Sequence, residues 1–170
     1  MSLFKKILFF SFFYFILIIN ANSENKVAYV DLDFLITNTK IGKTLFEKLK
    51  NNENKKFKEF SIEEKNLKEQ EKKILSSKNI ISEKQLNIDI EKFQKKLQAY
   101  KNSKSTEIEK LKNTRNDEIL KLLNSINPLI QKYMNDNSID ILIDKKNIYI
   151  ANKKYEITNN LILLVDQNYK

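Results

Sequence analysis

The chain has 170 residues, with 31 Lys or Arg against 22 Asp or Glu, one glycine, one proline and no histidine, cysteine or tryptophan. Without His or Cys there is no ordinary zinc, iron or copper site, no Ser-His or Cys-His nucleophile and no disulfide, which removes most metal and redox enzymes. Carboxylate chemistry stays formally open at Asp31, Asp33, Asp140 and Asp144. They cluster at predicted strand ends with nothing resembling a phosphate loop or substrate pocket beside them, so neither an enzyme nor a cofactor is expected.

Residues 1–23 open with Lys5 and Lys6, continue with an apolar run from Ile7 to Ile19 broken only by Ser11, and end in Ala21-Asn22-Ser23. This is the pattern of a secretory signal peptide cut at about Glu24. The run has 13 residues, short of the roughly 20 that span hydrocarbon, which makes a retained anchor the weaker reading. The mature protein is then expected outside the cytoplasm, in the periplasm.

Residues 24–42 begin with a β-rich stretch, Lys26 to Asp31, followed by a helical turn or two over Leu32 to Asn38. Gly42 is expected to let the backbone bend where a long helical segment begins. Residues 43–133 read as two charged helical segments folded back on each other, with the tip near 76–82. The outgoing half carries a thin apolar stripe at Phe46, Phe60, Leu67 and Ile74, with Leu49 and Phe57 beside it and Glu53 breaking it. Ser76, Ser77, Lys78 and Asn79 make the turn, and Ser82-Glu83-Lys84-Gln85 has the capping-box spacing that restarts a helix. A second such match, Ser61-Ile62-Glu63-Glu64, is read as chance inside a continuous helix, the alternative being a kink.

The returning half is clearer. Leu86, Ile90, Phe93, Leu97 and Tyr100 lie on one helix face, and the stripe resumes at Ile108, Leu111, Ile119, Leu122, Ile126, Leu129 and Tyr133. Its mixture of seven- and eleven-residue steps predicts a nearly straight arm. At about 1.5 Å per residue, the outgoing half alone reaches on the order of 50 Å, so the hairpin protrudes. Pro128 predicts a kink or restart, and Asn137 is expected to close the helix in the left-handed conformation.

Residues 134–170 return to strand patterning, with Ile139, Ile141 and Ile143 alternating with Asp140, Leu142 and Asp144. A second strand is expected over Asn147 to Ala151. Thr158 then reads as the N-cap of a terminal helix, with Ile157 and Ile162 as a hydrophobic staple and Leu161, Leu164 and Val165 facing inward. The fold class is α+β, mostly α. Three strands and a short helix bury too little to stand alone, so association is expected through Val27, Tyr29, Val30, Ile139, Ile141, Ile143, Ile148 and Ile150.

Charge is uneven along the arm. Residues 40–104 hold 18 basic against 10 acidic residues, net +8, while 105–137 balance at 5 and 5. Only Arg115 in the hairpin is arginine, so bidentate phosphate or base reading is nearly missing and diffuse attraction to acidic partners remains. Lys72, Lys73, Lys78 and Lys84 are the candidate anion contacts. Ile62, Ile80, Ile81 and Ile88, off the main stripe, are the candidate contacts for an apolar client. For both sets, a solvated or partly buried helix face is the alternative.

Val27 to Asp31 (V-A-Y-V-D), Gly42-Lys43, the run S-I-D-I-L-I-D ending at Asp144, and Ile157-Thr158 carry a resemblance to the Skp (OmpH-like) family of periplasmic chaperones, and it extends over essentially the whole chain. The resemblance implies a homotrimer whose strands join in a central body and whose arms enclose a cavity. That cavity would hold unfolded outer-membrane proteins without ATP; basic arms in the family are also associated with lipopolysaccharide and anionic lipid. Departures are Lys where relatives often use Arg, and Pro128. Two other functions compete: an envelope coiled-coil scaffold binding one folded partner, and an anion binder. Export and the scarcity of Arg and interleaved aromatics argue against nucleic acid.

Overall fold

The computed structural model describes residues 25–169; the expected signal peptide lies outside them. Strand β1 (Val27–Val30) leads through helix α1 (Leu32–Asn38) into the long helix α2 (Lys40–Ser77). A short turn joins it to α3 (Glu83–Asp136), followed by β2 (Ile141–Asp144), two 3-10 turns at Lys145–Asn147 and Lys153–Tyr155, and the terminal helix α4 (Thr158–Asn168).

Caps define these boundaries. Asp31 starts α1 by accepting from the Phe34 amide at 3.0 Å. Thr39 both ends α1, donating its amide to the Leu35 carbonyl, and starts α2, its hydroxyl accepting from the Gly42 amide at 3.2 Å. Ser82 starts α3 by accepting from the Gln85 amide at 3.3 Å, as the capping-box spacing predicts. α2 runs unbroken through Ser61 to Glu64, so that match is indeed chance.

α2 and α3 pack antiparallel, since Gln70 meets Lys96, Glu64 meets Lys104 and Glu53 meets Arg115 in descending order along one helix and ascending order along the other. With 38 and 54 residues they are about 57 and 81 Å long at 1.5 Å per residue. This is the expected helical hairpin.

β1 and β2 form a two-stranded parallel sheet, Val27 opposite Ile141 and Val30 opposite Asp144. The whole hairpin is the crossover between them. The Ile157 amide donates to the Tyr29 carbonyl at 3.0 Å on the other edge of β1, which seats α4 over the sheet. Val30, Leu35, Ile36, Leu122, Ile126, Ile130, Leu161 and Val165 form one buried core, so the base of the hairpin and the small sheet share their interior.

Five local expectations are corrected. The second strand over Asn147 to Ala151 is absent: the chain makes a 3-10 turn, bends at Tyr149 and continues without regular structure, with no partner strand among the described residues. Thr158 is not the N-cap; Ile157 holds that position, and the Thr158 hydroxyl instead accepts from the Asp31 amide at 2.9 Å, tying α4 to the end of β1. The left-handed residue is Ser138 (φ 54°), not Asn137 (φ −108°). The Ile139 amide reaches the Met134 carbonyl and the Ser138 amide the Asn135 carbonyl, a Schellman closure that puts the positive φ one residue later.

Gly42 does not bend the chain. It lies inside α2 against α1, where a Cβ would stand 2.8 Å from the Ile36 carbonyl carbon and 2.8 Å from the Thr39 hydroxyl, so the glycine serves close approach. Pro128 does not restart the helix either. It and Asn124, whose carbonyl loses its partner, are both exposed, leaving that carbonyl open to water.

Candidate functional site

Two surfaces stand out, one on the hub and one along the arm. On the hub, Lys26, Val27, Tyr29, Ile143, Ile148, Ile150 and Tyr155 are among the residues lining an open, mostly apolar cleft of about 660 Å³. Beside it Tyr149 is fully exposed and Ile150 is 85% exposed. A large aromatic and a large aliphatic side chain standing in water on an irregular segment beside an apolar cleft make an unfinished surface.

The eight residues expected to join subunits divide on inspection. Val30 and Ile139 are buried, Val30 as part of the core shared with the arm base, and Tyr29 is buried apart from the face it turns to the cleft. Val27, Ile141 and Ile150 are exposed, and Ile143 and Ile148 are half-buried at the cleft. Strand alternation could not separate these groups, because the element that covers one face, α4, comes last in the chain.

The hub's charged residues bind one another. Lys145 bridges Asp31 at 3.4 Å and Glu156 at 3.3 Å, and these carboxylates, Glu156 first, hold its ammonium pKa above the ordinary value. Lys146 meets Asp144 at 2.9 Å, and the Asp140 carboxylate accepts from the Lys26 amide at 2.8 Å. The carboxylates considered for chemistry are thus largely engaged in holding strand ends. Among the described residues no group of three or more His, Cys, Asp or Glu is placed to hold a metal.

Three contacts from the C-terminal region fix the arm root. Asp166 accepts from the Lys40 amide at 2.7 Å, at the N-terminus of α2. The Tyr169 hydroxyl donates to the Ser125 carbonyl at 2.7 Å, and Asn160 donates to the Tyr133 hydroxyl at 3.0 Å, both on α3. An acceptor at the helix start also complements its dipole.

Along the arm, buried seam residues occur at the root (Leu49, Leu122, Ile126, Ile130) and further out at Leu67, with none between Leu49 and Leu67 on α2. Polar contacts hold the middle. Glu64 accepts from Lys104 at 2.5 Å and from the Tyr100 hydroxyl at 2.9 Å. Glu53 meets Arg115 at 3.4 Å. The Lys104 hydrogen bond, then that of Tyr100, holds the Glu64 carboxyl below its ordinary pKa, while burial, then Glu64, pushes the Tyr100 hydroxyl up.

Of the client candidates, Ile62 and Ile80 are well exposed, Ile88 is 37% exposed and Ile81 is half-buried. They do not converge. Ile80 joins Lys72, Lys73, Ser76 and Ser77 around a cleft at the tip, while Lys78 and Lys84 are exposed outside it. The sequence reading missed Phe57, 51% exposed, and Ile108, 42% exposed, because their helical spacing placed them with the stripe. The available signal was the number of helices: a two-helix seam has no third element to cover its flanks.

Among the described residues no helix is long and apolar enough to cross a membrane. No curated protein matches the chain. A crystal structure of an OmpH-like protein from Caulobacter crescentus CB15, described as a candidate outer membrane chaperone, has the same fold at a TM-score of 0.76, with 19% identity over 85% of each chain. The model of the family described as outer membrane protein (OmpH-like) matches residues 26–163, the sheet, both arm helices and half of α4 together. With that match extending over most of its length, the chain belongs to the OmpH-like family.

Proposed function

We propose that this protein is an ATP-independent periplasmic holdase: residues 24–42 and 134–170 associate as the body of a homotrimer, and the arms of residues 43–133 enclose unfolded outer-membrane proteins. The observation that carries this reading is the combination of an unfinished apolar hub surface at Tyr149 and Ile150 with a long two-helix arm whose seam stays partly open. Family membership supports the chaperone role. An unfolded barrel precursor exposes apolar residues and unpaired strand edges that drive aggregation, and an enclosure keeps such chains apart without recognising one sequence. Weak contacts repeated over several arms add up through effective concentration and still release. No catalytic step and no cofactor are needed.

The test is light scattering from a urea-diluted outer-membrane porin mixed with the mature protein. Suppression is expected at a small molar excess of trimer; undiminished aggregation overturns the holdase reading. A stoichiometric complex with one native envelope protein, and no effect on porin, would favour the scaffold.

A second reading rests on the tip. Lys72 and Lys73, against one carboxylate at Glu69, flank a cleft that also holds Ile80, 83% exposed, and an apolar side chain beside a positive excess suits lipopolysaccharide or an anionic lipid surface. Binding that is unchanged at high salt would contradict its electrostatic basis.

A further inference from the structure

The middle of the arm carries a groove that seam packing does not fill. On α3, Phe93, Leu97, Tyr100, Lys104 and Ile108 follow at steps of four, three, four and four, on one helix face. Phe93, Leu97 and Tyr100, with Leu67 of α2, form the floor of an open groove of about 470 Å³, rimmed by Lys68, Lys101 and Lys104 on one side of the charge balance and Glu64 and Glu71 on the other. Glu64 and Lys104 neutralise each other, which leaves Lys68 and Lys101 against Glu71, so the rim keeps a positive excess.

The apolar surface continues toward the hub. The Lys104 ammonium lies 5.6 Å from the Phe60 ring centre and 6.0 Å from that of Tyr100, and Phe60 meets Phe57 edge to face at 6.0 Å. Phe57 is half-exposed, as is Ile108, one turn beyond Lys104. From Phe93 to Ile108 this strip is about 22 Å long, which matches roughly seven residues of extended chain.

We propose that this strip is a docking groove for an extended segment of unfolded polypeptide whose apolar side chains alternate with carboxylates. The proposal rests on the holdase reading and gives that reading a location on the arm. The length suits a strand-like segment rather than a compact small molecule. Alternate side chains enter the apolar floor, and the intervening carboxylates meet the lysine rim within an arm region that carries 18 basic and 10 acidic residues over 40–104. Phe57 and Ile108 are the apolar contacts with exposed area to give, and Lys68 and Lys101 are the charged ones.

The test uses the full mature protein and two fluorescein-labelled peptides, one alternating Val and Tyr with Asp and Glu, the other carrying Lys in place of the acids, read by fluorescence anisotropy. The acidic peptide is expected to bind, and binding by a Phe57→Ser/Ile108→Ser double variant to be weaker by about tenfold. The Lys peptide is expected to bind at least as poorly as the acidic peptide binds that variant. Leu120→Ser, at an equally exposed apolar position nearer the root (57%), is expected to bind like the parent. Far-UV circular dichroism confirms that each variant keeps its helices.

Equal binding by the double variant, or equal binding of the two peptides, overturns the groove. Porin scattering separates the two claims. If the parent suppresses aggregation and the double variant binds the acidic peptide as well as the parent does, the groove fails alone; if the parent does not suppress it, the holdase reading fails and the peptide result judges the groove by itself.

Discussion

Gly42 is the third residue of α2, and its missing side chain lets α1 lie against the start of the arm. Replacing a helix-interior glycine by alanine ordinarily stabilises by about 1 kcal/mol. Here the sign reverses, because the added methyl meets the Ile36 backbone and not a movable side chain. Gly42→Ala is therefore expected to destabilise by about 1–3 kcal/mol, the range for overpacking, seen as a lower midpoint in thermal unfolding followed by circular dichroism. An unchanged or raised midpoint would show that α1 shifts freely. The glycine was legible in the sequence as a special position, but its reason was not. A bend and a close approach call for the same residue, and only the neighbour across the joint distinguishes them. Ser138 teaches the converse, since Asn137 had the better composition for a left-handed residue and the hydrogen-bond closure placed it one position on.

At the level of elements, helix period and capping spacing were enough to read the arm. Phe93, Leu97 and Tyr100 repeat on one face, and the capping Ser82 starts α3 as its spacing says. The second hub strand was misread because Ile148 to Ile150 has strand composition, whereas a strand also needs a partner, which a lone pattern cannot supply. The mid-arm clamp of Glu64, Tyr100 and Lys104 was not legible, since pairing across a hairpin depends on register. Its titration is predictable in sign. The Glu64 carboxyl is held below its ordinary value of 4.5, by Lys104 first and Tyr100 second, so its contribution is present above pH 4.5 and is lost as pH falls through the lowered folded value. The unfolding midpoint of the parent should exceed that of Glu64→Gln at neutral pH, with the gap closing as pH falls below 4.5. A gap independent of pH would show that the clamp acts by shape and not by charge.

For the whole molecule, the hub is the incomplete part. Its core is shared with the arm base, yet Tyr149 and Ile150 remain in water beside an apolar cleft. Surface substitutions away from special features usually change stability by less than about 0.5 kcal/mol. On the proposed trimer, the parent is expected to show an oligomer's molar mass by light scattering, and Tyr149→Asp and Ile150→Asp to leave the chain folded while reducing that mass to one chain's. An oligomer of unchanged mass would place the subunit contact elsewhere. The overall plan was readable because long amphipathic helices between two short strand patterns admit few arrangements, while the division of strand residues between interior and outer surface waited on the last helix.

That last helix also sets an order of events. β1 pairs with β2 across more than a hundred residues, and Asp166 and Tyr169 fasten α2 and α3 from α4 and the residue after it. The two rods, joined by a short turn, meet through contacts far nearer in sequence, so they zip together first and the foundation closes afterwards. A chain diluted out of denaturant is thus expected to show its finished limbs before its shoulder locks.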